Sequence, residues 1–333
     1  FPTRRSSDLI DLFSDPKEKD AFKAKYGYDL APPKTWKQYL DIAEFFQRPD
    51  KGLWGTAEAF RRGGQQFWFF FSHAAAYTNN PNYPGAMFFD PETMDAQINN
   101  PGWVKGLEEY IKASKLGPPN ALNFSFGEVN AAVAGGQVAE SIGWGDTGVI
   151  AADPKQSKIS GKVGSAMLPG SDEIWNAKTK KWDKFPGVLP APFMAFGGWQ
   201  IAVPKAGKNQ QAAWDFVKTL TSPDVSGQAA ITGGSGVNPY RKSHTANLQL
   251  WSKIFSPEEA KEYLGAQSDS INAKNVALDM RLPGYFSYTE VVEIELGKAL
   301  AGQTTPQAAL DAMAKSPAGP RLLPAGQPLD LFV

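Results

Sequence analysis

One stretch of the chain constrains its fold more than any other, because it predicts a strand, a turn and a helix in close succession. Gly197 and Gly198 open the stretch, and glycine allows the backbone a positive φ or a close approach to a bulky group. Trp199, Ile201 and Val203 then alternate with Gln and Ala, as in a half-buried strand. The next five residues, from Pro to Lys, supply a turn.

The second half of this stretch predicts an amphipathic helix. Asn209 is a candidate N-cap, and Ser222-Pro223 ends the pattern. One face of the helix is apolar and comprises Ala213, Trp214, Phe216, Val217 and Leu220. The stretch therefore predicts a β-α unit, and strand and helix patterns alternate along the rest of the chain. This alternation predicts an α/β fold.

Composition excludes several classes of function. The chain has 333 residues, enough for two domains, and its 34 Lys and Arg balance 34 Asp and Glu. Zero formal net charge gives no electrostatic case for binding nucleic acid or an acidic membrane surface. Cysteine is absent, and His73 and His244 are the only histidines, so thiolate chemistry and histidine-based metal sites or triads are disfavoured. No catalytic or metal-binding residue and no cofactor are predicted.

The first nine residues do not have the pattern of a folded element. They contain no apolar segment of the kind found in a signal peptide, and no later run is long enough for a transmembrane helix. The sequence Phe-Pro-Thr-Arg-Arg-Ser-Ser-Asp-Leu is similar to translated adapter sequence. Residues 1–9 are therefore interpreted as a non-native leader and excluded from the fold.

Several helix signals organise the rest of the chain. Thr35 with Gln38 forms a predicted capping box, and Asn100-Pro101 opens another helix. Ser256-Pro257-Glu258-Glu259 opens a third, which is expected to end by Gly265. Residues 172–185 predict a β-hairpin or a flap, because Trp175-Asn176 and Lys181-Trp182 flank a turn of Lys and Thr. Residues 316–333 hold four prolines and are interpreted as a loose tail.

Several blocks in fixed order resemble the extracellular solute-binding proteins of ABC transporters, in the sugar-binding, maltodextrin-type family. They are Asp11-Leu12-Phe13, Pro32-Pro33-Lys34-Thr35-Trp36, Gly127 to Ala139 (GEVNAAVAGGQVA) with Trp144 after it, Gly164 to Gly170 (GSAMLPG), Gly234 to Ser243 (GSGVNPYRKS) and Leu300 to Ala309 (LAGQTTPQAA), together with the β-α unit described above. Each motif is weak alone, but their common order is specific. The likeness covers roughly residues 10–315.

The resemblance implies a two-lobe periplasmic-binding-protein fold of the type II kind, with ligand in the cleft between the lobes. Residues 10–195 and 276–315 would form the C-terminal lobe, and residues 196–275 the remainder of the N-terminal lobe. The family's Asp-Leu-Phe block follows most of its first lobe, whereas this chain begins there. About 100 residues, a small domain's worth, would therefore be missing from the start of the N-terminal lobe.

The function implied by the resemblance is the binding of a sugar or polyol for an ABC importer. The two lobes would close on the ligand by a hinge motion and deliver it to permease subunits in the membrane. The protein would act as a monomer in the periplasm or tethered to the cell surface. The importer's ATPase would supply the energy.

Sugars bind through aromatic rings that pack on their CH faces and through convergent polar groups. Trp144 lies where the family places a ligand-stacking tryptophan, and Asp146 could accept bonds from hydroxyl groups. A core tryptophan, and an N-cap for a helix at 147–152, are the structural alternatives for these two residues. The other ligand candidates are Gln66, Trp68, Gly197, Gly198, Trp199, Arg241, Tyr285 and Tyr288. Core or loop roles remain open for Trp68 and Arg241.

Two other classes of protein are weighed against a transport protein. A glycoside hydrolase needs two carboxylates at a set separation, and Asp146 with Glu128 or Glu58 would be the candidates. No spacing in the sequence enforces such a pair, and Glu128 on its helix is expected to face solvent. A lectin-like module is disfavoured by the α/β pattern.

Overall fold

A computed structural model describes residues 5–195 and 198–316, with backbone alone for residues 5–10. Within these ranges the strands are β1 (Arg5–Leu9), β2 (Trp54–Ala57), β3 (Val138–Gly143), β4 (Val163–Met167), β5 (Gly170–Asn176), β6 (Lys181–Pro190), β7 (Phe193–Met194) and β8 (Ala277–Leu278). The helices are α1 (Ile10–Ser14), α2 (Pro16–Tyr26), α3 (Trp36–Phe45), α4 (Gln66–Thr78), α5 (Pro101–Ser114), α6 (Phe126–Ala134), α7 (Gly145–Ala152), α8 (Gln210–Leu220), α9 (Pro223–Ala230), α10 (Lys242–Ala246), α11 (Leu248–Trp251), α12 (Pro257–Asn272), α13 (Tyr285–Leu300) and α14 (Pro306–Lys315). The alternation of strands and helices agrees with the predicted α/β class.

The largest sheet among the described residues has four strands in the order β2-β3-β1-β4, and we call it the central sheet. Strands β2 and β3 are parallel, whereas β1 runs antiparallel to both β3 and β4. The strand at Arg5–Leu9 lies within the segment that sequence reasoning excluded from the fold. The exclusion was wrong for the backbone of these five residues, because an extended segment next to two open strand edges can pair with both. The interpretation of residues 1–9 as a non-native leader stays a prediction.

The main hydrophobic core lies between the sheet and helices α3, α4 and α5. The predicted capping box of α3 is confirmed, with hydrogen bonds in both directions between Thr35 and Gln38. Helix α5 begins at Pro101 as predicted, and buries Trp103 against α4. The two helices approach so closely that a Cβ atom on Gly106 would lie 2.6 Å from the Cα of Ala74. Glycine is required there for packing.

A second, smaller core joins α7, α9, α11 and α12. It includes Val149, Ile231, Trp251 and Tyr263. The predicted capping box at Ser256 is confirmed, but α12 continues to Asn272 and does not end at Gly265. A glycine inside a helix costs only about 1 kcal/mol, and the packing of buried side chains on both sides of it outweighs that cost. The assignment of residues 196–275 to one lobe and of 10–195 and 276–315 to the other stays a prediction.

The segment from Gly198 to Val203 differs from its prediction. Trp199, Ile201 and Val203 lie in irregular backbone, and 73% of the Trp199 surface is exposed. A strand requires a neighbour for its hydrogen bonds, and no described strand pairs with this segment. Helix α8 forms as predicted after Asn209, yet none of its residues is buried. Its apolar face, including Trp214 and Phe216, is exposed to solvent.

The remaining predictions concern peripheral segments. The hairpin predicted at 172–185 is confirmed as β5 and β6, which pair Trp175 with Trp182. The predicted loose tail falls almost entirely on residues 317–333, which lie outside the described residues. Over the residues that the structure describes, we find no helix long and apolar enough to cross a membrane.

Candidate functional site

The carboxyl ends of the parallel strands β2 and β3 meet at one edge of the central sheet. Glu58 follows β2 and Trp144 follows β3. In α/β proteins, side chains that follow neighbouring parallel strands converge at this edge, where ligands commonly bind. Trp144 and the helix that starts after it therefore lie at an edge where ligands commonly bind.

Trp144 is the N-cap residue of α7, and only 7% of its surface is exposed. Three aromatic rings face it edge to face: Phe126 at 4.5 Å, Trp68 at 5.7 Å and Phe69 at 5.9 Å between ring centroids. Edge-to-face pairs of this kind fix the orientation of an indole. Trp144 thus packs in the core, at the edge where ligands commonly bind, and its contact with a ligand stays a prediction.

Trp68 is half-buried beside Trp144 and takes part in a polar triangle. Its indole nitrogen Nε1 donates a hydrogen bond to Oδ2 of Asp279 at 2.7 Å. The hydroxyl of Tyr285 donates to the same Oδ2 at 2.9 Å and lies 3.0 Å from Nε1 of Trp68. The other oxygen of Asp279, Oδ1, accepts from the backbone nitrogen of Met280 at 2.8 Å. We call Trp68, Trp144, Asp279 and Tyr285 the indole–carboxylate patch.

This patch unites three residues singled out from the sequence with one that was missed. Trp68, Trp144 and Tyr285 were ligand candidates, whereas Asp279 was not. Asp279 directly follows the short strand β8, which pairs with β7. The position of this carboxylate directly after a strand could have identified Asp279 as a candidate. A strand of two residues, however, leaves almost no pattern in the sequence. Chemically, the patch offers aromatic faces beside a hydrogen-bonded carboxylate, and sugar hydroxyls and CH groups require both.

Asp146 lies close in sequence to the patch, in the first turn of α7, and is buried. The alternative in which Asp146 is the N-cap of a helix at 147–152 is wrong, because α7 begins at Gly145 and its N-cap is Trp144. A carboxylate in the first turn interacts favourably with the helix dipole. The proposal that Asp146 contacts ligand remains a prediction.

Gln66 is fully buried, and its side chain links α4 to α13 by a hydrogen bond. Its side-chain nitrogen Nε2 donates to the backbone oxygen of Glu293 in α13 at 2.8 Å. Glu293 also accepts a bond from the backbone nitrogen of Gly63 at 3.1 Å. Burial raises the pKa of Glu293 above its ordinary value. The predicted ligand contact of Gln66 finds no support in this placement, because its side chain is turned to the protein.

The other candidates lie elsewhere. Tyr288 packs against Phe89 at 5.7 Å and lines a small apolar cavity of about 40 Å³. Arg241 donates to the backbone oxygen of Thr221 at 2.6 Å. Trp199 donates from Nε1 to the backbone oxygen of Gly236 at 3.2 Å, and Gly198 adopts a φ of 95°. Gly197 lies outside the described residues.

The carboxylates considered for hydrolysis have structural roles. Glu58 is fully buried and lies within 3.0 Å of Nε2 of His73. Glu128 closes the capping box of α6, where its Oε2 accepts from the backbone nitrogen of Ser125 at 2.8 Å. The hydroxyl and amide of Ser125 lower the pKa of Glu128. These contacts give no reason to assign either residue to acid–base chemistry.

Comparisons with known proteins show which family the chain is similar to. The family model for bacterial extracellular solute-binding protein matches residues 16–226, more than half of the chain. A mannitol-binding protein of Pseudomonas aeruginosa is 25% identical over 236 residues, which are 68% of this chain and 49% of that protein. The chain thus spans about half the length of this curated relative.

Solved structures show the same fold. An ABC transporter solute-binding protein from Agrobacterium radiobacter in complex with ribitol matches with a TM-score of 0.70 and 21% identity, over 94% of this chain and 68% of that one. A maltose-bound protein from T. maritima also reaches 0.70, with 22% identity over 94% and 69% of the two chains. The predicted fold class, the α/β fold of two-lobe periplasmic solute-binding proteins, is confirmed by these likenesses.

Proposed function

The chain belongs to the bacterial extracellular solute-binding proteins, and from this premise we propose that it binds a sugar or a polyol for an ABC importer. The observation that carries the proposal is the indole–carboxylate patch. Its half-buried Trp68 offers an aromatic face for the CH groups of a polyhydroxylated ligand. Asp279 supplies a carboxylate acceptor for hydroxyl groups, in a position held by two side-chain donors.

The relatives support the same class of ligand. One is a mannitol-binding protein, and two solved structures of the same fold contain ribitol and maltose. A third solved structure, from Agrobacterium vitis, contains D-mannitol and matches with a TM-score of 0.67. We infer that a neutral polyhydroxylated molecule is the ligand here, and that the importer's permease is the partner that receives it. We also propose that the protein acts outside the cytoplasm and that it is not an enzyme.

Titration calorimetry of the chain with mannitol, ribitol and maltose tests the proposal. Trp68→Ala removes the aromatic face, and Asp279→Asn keeps the shape of the side chain but removes its charge. Asp279→Asn is expected to weaken binding at least about tenfold, since a hydrogen bond to a charged group contributes about 1.5–3 kcal/mol. Trp68→Ala is expected to weaken it by a similar factor, because the ligand loses the aromatic surface on which its CH groups pack. Trp175→Phe on the β5–β6 hairpin is the matched control and should bind normally.

The outcomes separate the site from the function. Binding that persists unchanged in both patch variants would remove the patch from the site while leaving the function standing. If the chain binds none of the three ligands, the proposed function of this chain is wrong. Circular dichroism of each variant establishes that a loss of binding does not come from unfolding.

A further inference from the structure

A wide groove separates α12 from the segment that contains α10 and α11. It encloses about 990 Å³. None of the residues that line it belongs to the indole–carboxylate patch, so an inference about it does not depend on the proposed sugar site. Its lining includes three cations, Arg241, Lys242 and Lys261, and three exposed apolar or aromatic side chains, Tyr240, Leu248 and Ile271.

The lining of the groove carries charge of one sign. Arg241, Lys242 and Lys261 line it, and no acidic side chain is among its lining residues. Within the described parts of the chain, none of these three cations forms an ion pair. Four acids, Glu258, Glu259, Glu262 and Asp269, lie near these cations in the sequence, but none of them is among the lining residues. Glu259 caps α12, and Glu262 accepts a hydrogen bond from the backbone nitrogen of Ser165. A concave surface lined by cations attracts carboxylates and raises their local concentration.

Two buried donors in this region have unmet hydrogen-bonding capacity. Gln267 lines the groove and is 2% exposed, and its Nε2 has no hydrogen-bond partner among the described residues. The Nε of Arg241 is likewise buried without a partner, although another nitrogen of the same guanidinium bonds to Thr221. Buried donors are rarely left unpaired in folded proteins. Both residues are among those that line the groove.

The groove also presents apolar surface to solvent. Leu248, Ile271 and Tyr240 are all among its lining residues, and all three are exposed. A volume of about 990 Å³ is at the upper end of small-molecule pockets and far larger than an inorganic anion requires. The occupant must therefore combine acidic groups with apolar ones over an extended length. We propose that the groove binds an acidic, amphipathic peptide segment of a partner protein.

Fluorescence anisotropy with a labelled synthetic peptide tests this proposal on the full chain. The probe is a peptide in which pairs of glutamates alternate with pairs of leucines (Glu-Glu-Leu-Leu repeats). The comparison peptide has lysine in place of every glutamate. The acidic peptide is expected to bind at least about tenfold more tightly than the basic one. The double variant Lys242→Glu with Lys261→Glu should reverse this preference. The control variant Lys158→Glu with Lys205→Glu, at exposed lysines outside the groove, should leave it unchanged.

Gln267→Leu provides an independent measurement. Because the substitution removes an unpaired buried donor, it should raise the Tm of the unliganded chain by about 2 °C and weaken binding of the acidic peptide. Equal affinity for the two peptides, or an equal loss in the control variant, would overturn the proposal. A concentration-dependent dimer in sedimentation velocity, abolished by the charge reversal, would overturn it in favour of a second copy of the chain.

Discussion

The buried contact between Glu58 and His73 should contribute strongly to the stability of the main core. Nε2 of His73 lies 3.0 Å from Oε2 and 3.2 Å from Oε1 of Glu58. The hydroxyl of Tyr39 donates to Oε1 at 3.1 Å, and all three side chains are fully buried. The indole of Trp36 stacks on the imidazole with ring centroids 3.7 Å apart. We predict that Glu58→Ala destabilises the chain severely.

The magnitude follows from two losses. His73 would lose both contacts of Nε2 with the carboxylate, whereas Tyr39 would keep the hydroxyl of Thr56. A buried polar group without a partner costs about 1–3 kcal/mol. The cavity left by a fully buried side chain adds about 2 kcal/mol. The expected loss is therefore about 3–5 kcal/mol, as for breaking a buried polar or ionic pair.

Urea denaturation, followed by circular dichroism and tryptophan fluorescence, measures this loss. The variant pair Glu58→Leu and His73→Leu, made singly and together, isolates the interaction. The double variant should lose about 2 kcal/mol less than the sum of the single losses, because each single variant leaves one buried polar partner behind. Glu44→Ala, at an exposed acid, is the control. Additive single effects, or a loss below about 1 kcal/mol for Glu58→Ala, would refute the reasoning.

Three further predictions concern other parts of the fold. Arg48 contacts both carboxylate oxygens of Glu18, at 2.6 and 2.7 Å, and this contact lowers the pKa of Glu18 from its ordinary value of 4.5. The stabilisation from this ion pair is fully present above pH 4.5 and is lost as the pH falls through the lowered pKa of Glu18. Arg48→Met should therefore lower the free energy of unfolding by about 1 kcal/mol at pH 7 and make stability depend less on pH on the acid side. Gly106→Ala should cost about 1–3 kcal/mol, because its Cβ would collide with the backbone of Ala74. Trp214→Lys should raise solubility without lowering stability, since α8 buries no residue.

Each of these predictions has a contrary outcome. An Arg48→Met profile that parallels the parent between pH 5 and 3 would show that the ion pair does not set acid stability. Unchanged urea unfolding of Gly106→Ala would mean that α4 and α5 can separate at no cost. If Trp214→Lys lowers the unfolding midpoint, the exposed face of α8 is packed in solution.

Local sequence signals were sufficient to place the start of several helices. The capping box of Thr35 and Gln38 and the proline at the start of α5 fixed where these helices begin, because the bonds involved join residues at most four positions apart. Likewise, the hairpin of β5 and β6 was predictable from its turn. The fixed order of weak motifs was enough to indicate a solute-binding family, and the family model confirms membership of the bacterial extracellular solute-binding proteins. The narrower maltodextrin-type assignment stays a prediction.

The tertiary structure alone decided which elements are buried and which residues meet. The strand predicted at Trp199 is irregular backbone, since a strand depends on a neighbour that its own sequence does not specify. Helix α12 passes through Gly265, because packing on both sides of that residue overrides its low propensity.

The candidate site shows the same division. Trp68 and Asp279 are 211 positions apart in the chain, yet they share a hydrogen bond of 2.7 Å. Sequence analysis alone identified Trp68, Trp144 and Tyr285 as aromatic residues able to contact a sugar. The pairing with Asp279 depends on how β7, β8 and α4 pack, and no local pattern encodes that contact. The sequence thus determined the chemical character of the residues and their local elements, whereas long-range packing determined which of them meet in the candidate site.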